Sequence, residues 1–344
     1  MLTDIPSEII RKPKNYAVLL NSRAKRWTGE LHEQVRRWVP ASDLFLTDDF
    51  RQAEQTVDRI CQAGYDAIFT GGGDGTVMYL INAIEERIES GMIERENAPP
   101  VGVLRMGTGN ALASYVGCGE IIEDLRALKA GAPIIVYQLH LLESMGIRCP
   151  FAGFGWDADI LNDYDELKST VRSTALEQYV TGLGGYALSI AAKSIPRAAR
   201  AAPIQVCLRA RAAGAQELDR FGHVAKEFEP GEIFFEGPAH VVGASAIPNW
   251  GFNIHMFPYA NRKNDEFEIR VFTGSVGSIL RNLPSWWKGS LPSENYRDFV
   301  ASDVEVELRS GPMAYHVAGD PKGREDRVVW QTTEHPVPLA VAMG

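Results

Sequence analysis

A run of glycines around one acidic residue constrains this chain more than any other feature. Gly71–Gly73 directly follows the apolar segment 66–69, and Asp74–Thr76 leads into a helical pattern. Glycines at such a junction let a ligand approach the backbone closely. The helix that follows offers free N–H groups and the positive end of its dipole. The segment therefore predicts a phosphate-binding loop, with a tight turn before a helix as the alternative.

A second glycine-rich loop, Gly107–Asn110, follows the apolar segment 101–104 and precedes a helix from Ala111. Two such loops after neighbouring strands place two anion sites at one edge of an open sheet, where ligands bind in α/β proteins. Neither loop matches the P-loop pattern or the dinucleotide GxGxxG pattern. Phosphate binding alone does not need Asp74, which indicates a magnesium-linked or catalytic carboxylate.

The first part of the chain alternates short apolar runs with helical patterns. This alternation predicts an α/β, Rossmann-like domain with a mostly parallel sheet. We predict strands at 16–20, 44–46, 66–69 and 99–104, and helices at 31–39, after Asp48 or Asp49, at 77–88 and from 111.

The pattern changes near residue 133 to short strand-like runs separated by Gly and Pro, which predicts a β-rich sandwich or barrel. These runs are 134–142, 148–154, 204–209, 232–235, 240–243, 266–272, 304–308 and 328–331, with a helix around 175–192. We predict an α/β domain at 1–135 and a β-rich domain at 136–344, with a C-terminal tail that can pack back on the first domain.

Composition excludes several classes of protein. The 344 residues carry a net charge of −9, which lacks the basic footprint of nucleic-acid-binding proteins. The four cysteines form no CxxC pair, so we expect reduced thiols, a cytoplasmic location and no structural zinc. The N-terminus has no apolar core typical of a signal peptide, and no apolar run reaches the length of a spanning helix.

Taken together, GGGDGT at 71–76 and VGVLRMGTGNALA at 101–113 resemble the diacylglycerol kinase catalytic domain family, which includes diacylglycerol, sphingosine and ceramide kinases. FAGFGWDADILNDY at 151–164 and HVAGD at 316–320 are similar to later segments of that family. The resemblance covers roughly residues 15–330. It implies a nucleotide domain, a C-terminal β-sandwich, and ATP and lipid meeting in a cleft.

The resemblance also assigns expected roles to residues. The nucleotide, ATP, would be bound by Asn21, Thr47, Gly72, Gly73, Gly75, Thr76, Gly107, Thr108, Gly109 and Asn110. Asp74 and Asp320 would hold Mg²⁺ or act as catalytic groups. Asp157, Asp159 and Leu161 would lie in the lipid-binding segment.

The sequence departs from the family at five positions. Ser22 and Arg105 replace prolines, Tyr79 replaces a glutamate, and Ala111 and Ala318 replace aspartates. In some members the aspartate at the place of Ala318 is the general base, and an alanine cannot accept a proton. Asp74 and Asp320 are both candidates for that base. The basic residues after Ser22 could pair with phosphates or form a solvated turn.

Several residues of the second domain bear on which lipid the protein would bind and on whether it contacts a membrane. Leu161 stands where sphingosine kinases carry an acid, which disfavours a free-amine lipid and leaves ceramide or diacylglycerol-like lipids. Asp157 and Asp159 are alternatively simple turn residues. Trp286 and Trp287 could lie at a membrane surface or be a buried pair. The basic run Lys193, Arg197, Arg200, Arg209 and Arg211 could attract anionic lipid or be a solvated face.

We therefore expect an ATP- and Mg²⁺-dependent lipid kinase that associates peripherally with membranes, binds no nucleic acid and can form a homodimer. The alternatives are an NAD kinase-like enzyme, and a nucleotide- or lipid-binding regulator with weakened catalysis.

Overall fold

The computed structural model describes residues 9–24, 26–107, 110–155, 202–250, 254–260, 262–275, 278 and 295–343. The chain divides into two compact units. The first comprises the chain up to His140 and from Glu334 onward, and the second comprises Leu141–Trp250 and Ile254–Thr333. No helix in the described ranges is long and apolar enough to cross a membrane.

The first unit is an α/β domain with a seven-stranded sheet. Its strands are β1 (Ile9–Arg11), β2 (Ala17–Asn21), β3 (Leu44–Thr47), β4 (Ile68–Gly72), β5 (Val101–Arg105), β6 (Ile134–Leu139) and β21 (Val337–Ala342), in the order β1-β6-β21-β5-β4-β2-β3. The strands from β3 to β21 are parallel, while β6 runs antiparallel to both β21 and β1. The predicted mostly parallel sheet is confirmed.

Five helices connect these strands: α1 (Gly29–Trp38), α2 (Phe50–Ala63), α3 (Asp74–Glu89), α4 (Ala111–Tyr115) and α5 (Ile121–Lys129). Asp49, one of the two predicted caps, accepts the N–H of Gln52 at 2.7 Å and so begins α2. Apolar side chains of α1 and α5 pack with those of β2, β4 and β5 in one core, to which Val35, Leu125 and Leu20 belong. Burial of these side chains fixes the helices on the sheet.

The second unit is built from two antiparallel sheets. One contains β7 (Leu142–Ser144), β8 (Ile147–Cys149), β10 (Ile204–Ala210), β13 (Ile233–Ala239), β17 (Asp303–Leu308) and β20 (Arg327–Thr332). The other contains β9 (Phe151–Gly155), β11 (Ala215–Leu218), β12 (Val224–Phe228), β14 (Val241–Ser245), β15 (Phe267–Phe272), β16 (Tyr296–Ala301), β18 (Met313–Val317) and β19 (Asp320–Glu325). Buried residues of both sheets, such as Trp330 and Phe299, form one core, as in a β-sandwich.

Two sequence predictions need correction here. The apolar run 134–142 is not one strand, because β6 of the first sheet ends at Leu139 and β7 of the second unit begins at Leu142. The predicted boundary after residue 135 therefore falls inside β6, whereas the units divide after His140. The predicted helix around 175–192 lies outside the described residues. All four cysteines are free and buried.

Candidate nucleotide-binding site

The two glycine loops begin at adjacent ends of parallel strands in the first unit. β4 ends at Gly72 and β5 ends at Arg105, and these two residues are paired in register. The chain then enters α3 at Asp74 and α4 at Ala111. Both loops therefore lie at the carboxyl edge of the sheet, where ligands bind in open α/β folds.

Packing explains why most of these glycines are required. A Cβ on Gly107 would lie 2.7 Å from Cα of Gly73 and 2.9 Å from the carbonyl oxygen of Gly72, so the two loops touch through their backbones. A Cβ on Gly72 would collide with the side chain of Thr76. These glycines are needed to build the site before any ligand is considered.

Gly73 is different because no described neighbour requires it to be glycine. Its φ is −86°, which any residue can adopt, and no atom of the described residues lies within 4 Å of a Cβ built there. It is also the N-cap of the 16-residue helix α3, and it has no side chain to cap that end. The space over Gly73 thus adjoins the positive end of the α3 dipole, which is an arrangement that binds phosphate.

Asp74 links the two loops. Its half-buried carboxylate accepts hydrogen bonds from the backbone N–H groups of Asn110, Ala111 and Leu112, at the start of α4. Burial raises the pKa of Asp74 above its usual value, and these N–H groups partly oppose that rise. The metal or catalytic role of Asp74 stays a prediction. In the structure these hydrogen bonds connect its side chain to the start of α4.

Sequence reasoning missed this contact between Asp74 and α4. Asn110 would be the expected N-cap of α4, but its φ is 51° and its side chain turns back on the loop. Its Oδ1 accepts the N–H of Gly107 at 3.0 Å, and its Nδ2 donates to the Gly107 carbonyl at 2.7 Å. A helix that has lost its own cap needs an acceptor from elsewhere, and Asp74 supplies it.

Asn21 and Thr47, both predicted to contact nucleotide, end neighbouring strands at the same edge. Asn21 donates through Nδ2 to Oγ1 of Thr76 at 3.4 Å, which ties the first loop to α3. Ser22 donates both its N–H and its hydroxyl to the carbonyl of Thr47, at 2.9 and 3.1 Å. A proline has no N–H and could not make the first of these bonds. Serine at position 22 therefore connects the segments that follow β2 and β3.

Two arginines form hydrogen bonds between the elements that carry the loops. Arg105 donates to Oγ of Ser114 on α4 at 3.1 Å. Arg26 donates to the Arg105 carbonyl at 3.0 Å and forms an ion pair with Glu120 at 2.9 Å. The sequence left two interpretations for the basic residues after Ser22, phosphate binding and a solvated turn. Arg26 fits neither, because it connects the segment after β2 to β5 and to the start of α5.

Asp320 lies in the second unit, on the tight turn between β18 and β19. Val317 and Asp320 pair across this turn, and Ala318 and Gly319 both have positive φ, at 53° and 84°. The side chain of Asp320 is exposed. This is the geometry of a two-residue hairpin turn, in which Asn or Asp is favoured at the place of Ala318.

Several predicted residues lie outside the described part of the chain: Thr108, Gly109, Asp157, Asp159, Leu161, Trp286, Trp287, Lys193, Arg197 and Arg200. Their assignments stay predictions. Of the described members of the basic run, Arg211 forms an ion pair with Asp303 at 3.0 Å and Arg209 donates to the Gly231 carbonyl. Gly75 is exposed in the first turn of α3.

Comparison with known proteins places this site in a family. The diacylglycerol kinase catalytic domain model matches residues 15–136, which include both glycine loops. A protein named probable lipid kinase YegS-like, from Enterobacter sp. (strain 638), is 34% identical over 276 residues, or 79% of this chain and 77% of that protein. Diacylglycerol kinase 2 of Arabidopsis thaliana is 23% identical over 230 residues, covering 60% of this chain and 31% of the plant protein.

The fold agrees with a solved structure. The crystal structure of a diacylglycerol kinase from Bacillus anthracis str. Sterne superposes with a TM-score of 0.60 and covers 95% of this chain and 97% of that one, at 14% identity. Because a relative named as a lipid kinase is 34% identical over 79% of this chain, and the catalytic domain model matches both glycine loops, this chain belongs to the lipid kinase family defined by the diacylglycerol kinase catalytic domain.

Proposed function

We propose that this chain transfers the γ-phosphoryl group of ATP to the hydroxyl group of a lipid. The observation that carries the proposal is the space over Gly73, open among the described residues and bounded by two touching glycine loops and the N-terminus of α3. A triphosphate fits such a site because backbone N–H groups and the helix dipole both favour anions.

Magnesium would take most of its ligands from the triphosphate and water. Within the described residues, no three His, Cys, Asp or Glu side chains come together as a protein-built metal site would need. Mg²⁺ commonly binds through one or two carboxylates together with substrate phosphates. Bound ATP with its metal would supply the phosphoryl group, and the loops would hold it in position.

The proton acceptor would be Asp320. Ala318 has no acceptor atom, and Asp320 is the carboxylate that the same turn retains. Asp74 is a weaker candidate, since its carboxylate already accepts three backbone N–H groups. A base must reach the acceptor hydroxyl within hydrogen-bond distance, and the side chain of Asp320 is exposed.

For the acceptor lipid we favour diacylglycerol, with ceramide second. The support is the name of the Arabidopsis relative, diacylglycerol kinase 2, together with Leu161 in place of an acid that would attract a free amine. The expected setting is the surface of a membrane, where such lipids reside.

The test is transfer of label from γ-labelled ATP with Mg²⁺ into diacylglycerol, ceramide, sphingosine and monoacylglycerol in mixed micelles. We expect labelled diacylglycerol, and we expect Gly73→Ala to lose it while keeping the stability of the fold. Gly29→Ala is the matched control, because Gly29 also has open space around it and lies far along the chain from both loops. Unchanged transfer by Gly73→Ala would contradict the assigned site.

A second candidate is a binding protein with weakened catalysis, which the alanine at position 318 favours. In that case ATP would bind, yet no lipid would be labelled at any Mg²⁺ concentration, and Ala318→Asp would restore or raise transfer. Labelling of NAD in place of every lipid would favour the NAD kinase-like alternative.

A further inference from the structure

The turn between β11 and β12 exposes an aromatic side chain at the edge of the second unit. Phe221 is 63% exposed and Val224 is 41% exposed. β12 is the last strand of its eight-stranded sheet, and four of its five residues are exposed. We call residues 219–224 the hairpin tip.

Hydrogen bonds within the hairpin tip hold Phe221 outward. The carboxylate of Asp219 accepts the N–H of Phe221 at 2.8 Å and that of His223 at 2.9 Å. The backbone adds bonds from Gly222 N–H to the Asp219 carbonyl and from Asp219 N–H to the His223 carbonyl. The turn is therefore closed on itself, and the ring of Phe221 lies outside it.

The other side of the tip is packed. Tyr259 donates its hydroxyl to the carbonyl of Arg220 at 2.9 Å. Gly222, at φ +82°, lies so close to the Tyr259 ring that a Cβ would come within 2.6 Å of it, and Arg262 donates to the Gly222 carbonyl. Because Tyr259 is itself buried, Phe221 cannot fold back into the place it occupies.

Cations lie on and near the hairpin tip. Arg220, Lys226 and Arg262 are all exposed, and no carboxylate of the described residues forms an ion pair with any of them. The guanidinium of Arg220 lies 4.7 Å from the centroid of the Phe221 ring, whereas Lys226 lies over the Phe228 ring. The neighbouring acids bond to other groups: Asp219 within the turn, Glu217 with Arg297, and Glu227 with the side-chain amide of Gln216.

We propose that the hairpin tip docks on an anionic lipid surface, with Phe221 inserted at headgroup level and Arg220, Lys226 and Arg262 against lipid phosphates. An aromatic ring beside cations is suited to the interface, because the ring favours the boundary region and each cation is attracted by anionic lipid. The chain as a whole carries −9, so attraction has to be local.

A protein partner fits this tip less well. A stable protein interface buries about 800 Å² on each partner, whereas the tip offers one aromatic side chain of about 200 Å². The docking proposal stands on these side chains alone. Its use in catalysis, delivery of the enzyme to its lipid acceptor, rests on the proposed function.

The test is co-sedimentation of the full chain with phosphatidylcholine vesicles, with and without phosphatidylserine. We expect binding only to the vesicles that contain phosphatidylserine, and we expect it to weaken as salt is added. Phe221→Ser should weaken binding about tenfold. Arg220→Gln and Lys226→Gln should each weaken it about fivefold.

The chain offers a matched control at another hairpin. Met145, between β7 and β8, is 51% exposed at the tip of its turn, but the turn itself, Met145-Gly146, contains no cation corresponding to Arg220. Met145→Ser should leave vesicle binding unchanged. In addition, Phe221→Trp but not Met145→Trp should gain emission that brominated lipid quenches.

Three results would overturn the proposal: equal binding to both kinds of vesicle, no binding to either, or equal losses from Phe221→Ser and Met145→Ser. Transfer to a lipid dispersed in detergent micelles is measured in parallel on the same variants. Phe221→Ser should keep that transfer, so failure of docking and failure of the kinase proposal give different results.

Discussion

Two aspartates at turns of this molecule, Asp74 and Asp320, differ in how much of the side chain is exposed to solvent. Asp74 lies half-buried at the start of α3, where three backbone N–H groups of α4 donate to it. Asp320 is exposed on a two-residue turn of the second unit, beside Ala318 at φ 53°. The first aspartate holds the fold together, while the second projects from it.

This difference shows that the residues of a sequence motif can be required for the packing of the fold as well as for chemistry. The described residues of the two glycine loops are held largely by packing: Gly72, Gly107 and Asp74 all have close structural partners, whereas the space beside Gly73 is open among the described residues. At the turn of the second unit the constraint is on the backbone, because Ala318 has φ 53° while its side chain packs against the core. An aspartate or asparagine would adopt this backbone conformation more readily than alanine does.

The largest effect should follow from separating the two glycine loops. Gly107→Ala puts a methyl group against the backbone of Gly73, which cannot rotate away, so we expect the first unit to lose about 3 kcal/mol of unfolding free energy. Urea denaturation measures this. Gly29→Ala, with open space around it, should change stability little; equal losses would show that the loops do not touch.

Removing each aspartate tests the comparison directly. Asp74→Ala leaves N–H groups at the start of α4 without their acceptor and should cost about 2 kcal/mol. Asp74→Asn keeps an acceptor oxygen and should cost less than half of that. Asp320→Ala should stay within about 0.5 kcal/mol, because its side chain is exposed. Similar losses from Asp74→Ala and Asp320→Ala would break the comparison.

A second buried carboxylate of the first unit should make stability depend on pH. Burial, with the charge of Glu123, raises the pKa of Asp124 from 3.8 to about 6, against the opposing N–H of Gly119 and charge of Arg105. Its protonated form therefore favours folding below about pH 4, and this contribution is lost as pH rises through about 6.

Asp124→Asn removes that titration. Between pH 4 and pH 7 the unfolding free energy of the unmodified chain should fall by about 2 kcal/mol relative to Asp124→Asn. Urea denaturation at several pH values measures the difference. A constant difference across this range would show that Asp124 keeps an ordinary pKa, and Asp320→Asn should leave the slope unchanged.

The smallest effect should come from the turn of the second unit. Ala318→Asn replaces a residue that is strained at φ 53° with one that adopts this conformation readily, and should raise stability by about 1 kcal/mol. Met145→Asn is its counterpart, because Met145 has φ 55° and also precedes a glycine. Thermal unfolding of both variants checks this; a fall in Tm would mean that the side chains outweigh the backbone.

The sequence predicted the first unit well because its signals are local. Short apolar runs between helical patterns located β2 to β5, and glycines located the loops. What it missed depends on distant contacts. Nothing near Asp74 indicates that its partners lie more than thirty residues away, at Asn110, Ala111 and Leu112.

The second unit was harder because its outer strands are short and polar. β12 has four exposed residues and β19 has none that are buried, so neither shows an apolar pattern. They form because hairpin partners supply their hydrogen bonds, as β11 does for β12 and β18 for β19. Such strands follow from tertiary pairing, which outweighs local preference.

The position of β21 has a consequence for the order in which the molecule assembles. This strand, Val337–Ala342, lies between β5 and β6, yet it follows β6 by nearly 200 residues of chain. During synthesis at about 5–20 residues per second, β5 and β6 would wait roughly 10–40 s for it, with their facing backbone edges unpaired. The second unit would then be complete before the sheet of the first unit is, so β5 would gain its second partner strand only after β21 emerges.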